Sequence, residues 1–127
     1  MKIKYPITAG ILLLIIHAIF SPLFLYTRYP VLDIPMHFSG GLIVAWFYAA
    51  YFKNERNGIS RLGGALLIIG GTALVGVLWE FLEWSLDNFV FIEAQFMGGL
   101  NDTLFDLAMD LTGGLVVTLF FQKRKSV

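Results

Sequence analysis

Nine carboxylates and two histidines are the groups in this 127-residue chain that could do chemistry, and cysteine is absent, which excludes disulfides and thiolate metal sites. Six of these groups (His17, His37, Glu80, Glu83, Asp106 and Asp110) fall inside apolar stretches rather than between them. At about 100° per residue, Gly76, Glu80, Glu83 and Asp87 share one helical stripe. Asp102, Asp106, Asp110, Gly113 and Val117 share another. Asp33 lies four residues before His37, on a face that Gly40 and Val44 continue. Carboxylates with one imidazole make a donor set suited to a hard or borderline divalent cation, Mg²⁺, Ca²⁺, Mn²⁺ or Zn²⁺.

An ionised carboxylate at the centre of a bilayer costs roughly 2.5–3.5 kcal/mol on insertion scales, and less toward the interface. No lysine or arginine lies inside the apolar stretches, so internal salt bridges are excluded as the remedy. Protonation, water in a polar vestibule, or a bound cation remain. We take His37, Glu80, Glu83, Asp106 and Asp110 as expected metal ligands, with Asp33 and Asp102 as outer-shell or capping partners. No catalytic residue is singled out. The plainer alternatives are a wet vestibule for the four intramembrane acids and helix capping for Asp33 and Asp102. Asp87 and Glu93 read as solvated.

The elements that must hold these residues follow from composition. Hydrophobic residues make up 57% of the chain and charged residues 14%, against about 25% charged in a soluble domain. Stretches at about 7–27, 34–52, 62–84 and 103–121 are each long enough to span a bilayer core, which takes roughly 20 apolar residues. The expected fold is all-α, a single four-helix transmembrane domain over 1–127 with a greasy outer loop at 85–102. The first stretch runs on to Tyr26 without a small-x-small cleavage site and reads as a retained helix; Pro22 is placed to kink it.

Eight of the nine basic residues then fall on one side: Lys2 and Lys4, Lys53, Arg56 and Arg61, and Lys123, Arg124 and Lys125, with Arg28 opposite. By the positive-inside rule both termini are cytoplasmic and the protein is a multi-pass protein of the cytoplasmic (inner) membrane. Eight of the nine acids lie in or next to the outer half, Glu55 being the exception. His17 lies in mid-span, about 10 Å deeper than His37 by helical rise. That mismatch argues against a bis-histidine haem and for an interhelical hydrogen bond. The glycine pairs at Gly40-Gly41, Gly70-Gly71 and Gly113-Gly114 suit close helix packing.

Asp33-x-x-x-His37-Phe38-x-x-Gly41, Glu80-x-x-Glu83-Trp84 and Asp102-Thr103-x-x-Asp106-Leu107-x-x-Asp110 with Gly113-Gly114 together resemble the uncharacterised bacterial inner-membrane family typified by YjdF, over about Asp33–Gly114. A weaker resemblance is to VanZ-like membrane proteins, which have an acidic helix followed by Asp-x-x-x-Asn and a glycine; Asp110 stands at that asparagine position. The resemblance supports the choice of residues and implies no established activity.

Three functions fit this pattern. The first is a divalent-metal-dependent enzyme acting on a lipid or lipid-linked substrate at the outer leaflet. The Asp-x-x-x-Asp spacing resembles that of intramembrane prenyl- and phosphatidyl-transferases, whose further motifs are absent. The second is a cation or proton-coupled transporter, which with four helices requires a homo-oligomer. The third is a non-catalytic accessory subunit. The lipid bilayer is the expected partner in all three, and nucleic acid is not.

The charge asymmetry predicts the topology. Single cysteines placed at Lys2, Asn57 and Lys125 are expected to react with a membrane-impermeant thiol reagent from the cytoplasmic side, and one at Ile92 from the outside. Labelling of position 92 from the cytoplasm alone would overturn the orientation.

Overall fold

The computed structural model of the protein describes residues 2–21, 25–53, 58–90 and 96–122. Among them the chain is all helical. Helix α1 covers Lys4–Phe20, the short α2 covers Leu25–Arg28, and a 3-10 turn at Pro30–Leu32 leads into α3, Asp33–Tyr51. Helix α4 covers Arg61–Phe89 and α5 covers Leu100–Gln122. Three segments, Pro30–Tyr51, Arg61–Phe89 and Leu100–Phe121, are long and apolar enough to cross a membrane; α1 is a shorter apolar helix.

Local chemistry sets several of these limits. Ser60 caps α4, its Oγ accepting the Gly63 N–H at 3.0 Å, which satisfies one of the donors a helix N-terminus leaves open. Pro30 opens the turn before α3, where its missing N–H costs nothing. Gly99 takes a left-handed φ of 106° immediately before α5, a conformation that L side chains rarely adopt.

Some boundaries differ from the expected ones. Helix α1 stops at Phe20 after 17 residues; the expected kink at Pro22 lies outside the described residues. Helix α4 does not stop at Trp84 but runs to Phe89, 29 residues in all. Its last turns are polar enough to leave lipid, yet no glycine or proline interrupts them. Ser85 and Asn88 donate back to the Phe81 and Trp84 carbonyls at 2.7 Å each. The connection to α5 is correspondingly shorter than 85–102. Asp87, read as solvated, accepts the backbone N–H groups of Phe96 and Met97 at 2.7 and 2.8 Å, tying that connection to the end of α4.

Helices α3, α4 and α5 form the packed unit, and α1 lies against α3. Most α1 side chains, such as Ile11, Leu12, Leu14 and Ile15, are exposed, as suits contact with lipid. Ala45 and Ala49 of α3, Ile68 of α4 and Val117 of α5 make a small apolar core, flanked by Leu42, Trp46 and Phe121. Lipid tails are as apolar as leucine, so helices in a membrane associate through close packing of small residues. The closest approach is between α3 and α5. A Cβ at Gly41 would collide with the Asp110 carbonyl, and one at Gly113 with the Phe38 carbonyl and the Leu42 backbone nitrogen. Sequence periodicity had pointed to Gly40, but a Cβ there would stand 3.7 Å from Asp110 Oδ1, an ordinary contact.

Gly63 offers a control. A Cβ there would stand 3.4 Å or more from its nearest neighbours, Ser60 and Ile59. Gly113→Leu is expected to destabilise the protein by more than the roughly 1–3 kcal/mol of ordinary overpacking, since backbone must move. Gly63→Leu should be near neutral. Thermal unfolding in detergent measures both; equal losses would mean that the α3–α5 approach is not limiting.

Candidate functional site

At the end of the bundle where α3 and α5 begin, each of the three packed helices turns acids inward. Helix α3 supplies Asp33 and His37, one turn apart. Helix α4 supplies Glu80 and Glu83, and α5 supplies Asp106 and Asp110. His37, Glu80, Glu83, Asp106 and Asp110 are all buried, none more than 8% exposed. The structure therefore gathers the five expected ligands, with Asp33 half-buried at their edge.

His37 is the hub. Its Nδ1 lies 3.5 Å from Asp110 Oδ2. Its Nε2 lies 3.6 Å from Asp33 Oδ1 and 3.9 Å from Asp106 Oδ2. These separations are long for direct hydrogen bonds, but neighbouring ligands around one cation stand about 3–4 Å apart. Two sets of potential ligand atoms lie mutually within 4.8 Å: Asp33, His37 and Asp106, and His37, Glu80 and Glu83. Asp110 belongs to neither set. It enters a notch between Gly41 and Gly76, where a Cβ on Gly76 would stand 2.7 Å from Asp110 Oδ2.

The glutamates are held unequally. Glu83 Oε1 accepts the Trp79 indole N–H at 2.9 Å. Glu80 Oε1 and Thr103 Oγ1 are both shut off from solvent without a well-formed hydrogen bond, and the Thr103 hydroxyl is the neighbour that interacts with the Glu80 carboxylate. One hydroxyl compensates a buried charge poorly, and Glu80 belongs to a set of potential ligands. Asp102 is drawn away from the cluster, accepting the Gly98 N–H at 3.1 Å through Oδ2. It organises the start of α5, as a capping residue would. Glu93 lies outside the described residues.

Two residues not assigned to the site belong to its surroundings. Trp79 orients Glu83 through its indole N–H; the signal was its position four residues earlier on the same helix. His17 lines the same cavity as Asp33, His37 and Asp110, so its expected difference in depth does not separate it from them. It pairs with Tyr26 and Ser21, at 3.2 Å from the Tyr26 hydroxyl and 3.4 Å from Ser21 Oγ. Its ring meets Trp79 edge-on with centroids 5.0 Å apart. The bond to Tyr26 of α2 is the interhelical link expected of it, whereas that to Ser21 stays at the end of its own helix; the contact with Trp79 connects α1 to the Glu83 side of the cluster.

Comparison with known proteins adds family but no chemistry. An uncharacterized protein of Thermotoga maritima is 27% identical over 94 residues, 72% of this chain and 47% of that protein. The chain thus spans about half the length of the curated relative it matches. No solved structure matches. The family described as predicted membrane protein (DUF2238) matches residues 1–126, nearly the whole chain, and the protein belongs to that family.

Proposed function

We propose that this membrane protein holds a divalent cation at the outer face of the inner membrane and uses it on an oxyanion of a lipid or lipid-linked group. The observation that carries this reading is the buried constellation of His37, Glu80 and Glu83, whose potential ligand atoms lie mutually within 4.8 Å. A second set, Asp33 and Asp106 around the same imidazole, widens the site. Six carboxylates and imidazoles stand together with no lysine or arginine in the spans beside them, and an imidazolium would balance only one charge. A cation balances the rest.

Within this reading the residues divide their work. Glu80 and Glu83 supply carboxylate ligands, Trp79 fixing the latter. His37 supplies Nε2 toward the Asp33 and Asp106 side. Asp110, expected as a ligand, is better placed to accept from Nδ1–H and so hold the ring tautomer and angle, the usual service of a carboxylate behind a metal-binding histidine. When bound, the cation would act as a Lewis acid on a phosphoryl or carbonyl oxygen. Transport is the less favoured use, because the small apolar core at Ala45, Ala49, Ile68 and Val117 lies in the span below the acids.

Titration calorimetry of purified, chelator-stripped protein with Mg²⁺, Ca²⁺, Mn²⁺ and Zn²⁺ tests this proposal. At least one ion is expected to bind. Glu80→Gln and Glu83→Ala should abolish binding, Asp110→Asn should weaken it by about 10–100-fold, and Glu93→Gln should leave it unchanged. Protons compete for the same ligand atoms, so affinity should fall as the pH is lowered. If no ion binds, or if the Glu80 and Glu83 variants bind as the parent does, the cluster is a hydrated or protonated vestibule.

A further inference from the structure

A cavity of about 350 Å³ opens between α1, α3 and α4, within the size range of small-ligand pockets. One end is polar: His17, Asp33, His37 and Asp110. The remaining wall is aliphatic, with Leu13, Leu14, Ile43, Val44 and Val75. A second hollow of about 330 Å³ adjoins it, sharing Gly10, Leu14, Ile43, Val44 and Val75 and continuing to Pro6, Phe47 and Tyr48. Together they form one apolar groove running from the His37 end along α3 to Tyr48. That is eleven residues, or about 16 Å of helical rise.

We propose that this groove takes the single hydrocarbon chain of a membrane lipid whose oxyanion head reaches the His37 end. Three features choose this occupant. The two hollows share five residues and follow one another along α3, as a single extended chain would lie. The walls are mostly apolar while one end is polar, which matches an amphiphile lying along the groove. The polar end is acidic, so an anionic head is attracted there only when a cation is present. In that last respect the inference rests on the proposed cation site. A glycine at position 10 keeps the groove open: a Cβ there would stand 3.6 Å from Ile43 Cγ2, and anything larger would project into the chain's path.

Trp79 lines the cavity and serves as the reporter. In a Trp46→Phe, Trp84→Phe background it is the sole tryptophan, and a mid-chain-brominated fatty acid quenches it on contact. Quenching is expected to saturate at stoichiometric fatty acid and at lower concentration when a divalent cation is added. Gly10→Phe and, independently, Val44→Phe should each raise the half-saturating concentration about tenfold. Leu12→Phe, on the exposed face of α1, should not. Quenching that rises without saturation and is alike in all variants would overturn the proposal. So would a homodimer in native mass spectra that Gly10→Phe disrupts without any saturable quenching, which would assign the groove to a second copy. Cation titration of the same samples separates the two readings. Gly10-sensitive quenching with no cation bound fails the metal site alone; bound cation with Gly10-insensitive quenching fails the groove alone.

Discussion

The backbone-to-backbone approach of α3 and α5 is the constraint on which the rest of the molecule depends. Gly41 lies on the Asp110 carbonyl, and Gly113 lies on the α3 backbone at Phe38 and Leu42. In lipid there is no hydrophobic force to bring the two helices together, so the contact itself must supply the attraction. Its geometry also fixes the candidate site. With α5 pressed into α3, the Asp110 carboxylate is driven toward Gly76 of α4 and meets His37 Nδ1 at 3.5 Å. One pair of missing side chains thereby sets the position of the acid behind the only imidazole in the cluster.

The same economy of small residues explains how a short chain can bury so many acids. Near the carboxylates the helices are held by glycine and by polar contacts such as His37 of α3 to Asp110 of α5. Beneath them, fully buried Ala45 and Ala49 let α3 pack closely on its neighbours. The bundle is thus divided along its length into a polar third and an apolar remainder. Thr72 and Thr118 lie buried in the remainder, and each returns its hydroxyl to its own helix, at 2.9 and 2.8 Å from the Ile68 and Gly114 carbonyls. Neither leaves a polar atom without a partner there, in contrast to the poorly paired oxygens of Glu80 and Thr103 above.

Much of this was legible in the residue pattern, for a physical reason. Acids within apolar stretches are costly, so their helical spacing is itself a statement about which faces meet. The stripes through Glu80 and Glu83 and through Asp106 and Asp110 do meet around His37. What the pattern could not resolve were displacements smaller than a turn. Periodicity favoured Gly40 where the close contact is at Gly41, one residue round the helix. It also could not tell which nitrogen of His37 each acid faces, because Asp106 and Asp110 lie on one stripe: Asp106 faces Nε2 and Asp110 faces Nδ1. The depth assigned to His17 rests on a first helix that runs on to about residue 27. Helix α1 ends at Phe20, and packing of His17 on Trp79 depends on how α1 leans, which no spacing encodes. Asp87 was read as solvated because its partners are backbone groups, and backbone partners leave no mark in composition.

The shallow placement of the cluster has an electrical consequence. His37 lies about 6 Å along α3 from its first residue and Asp106 about 9 Å along α5, near a quarter of the way through a hydrocarbon core of about 30 Å. An elementary charge moved across a whole membrane gains or loses about 2.3 kcal/mol per 100 mV. A charge that stops at this level crosses only a small part of the field, so its occupancy is set by local chemistry far more than by the state of polarisation of the cell.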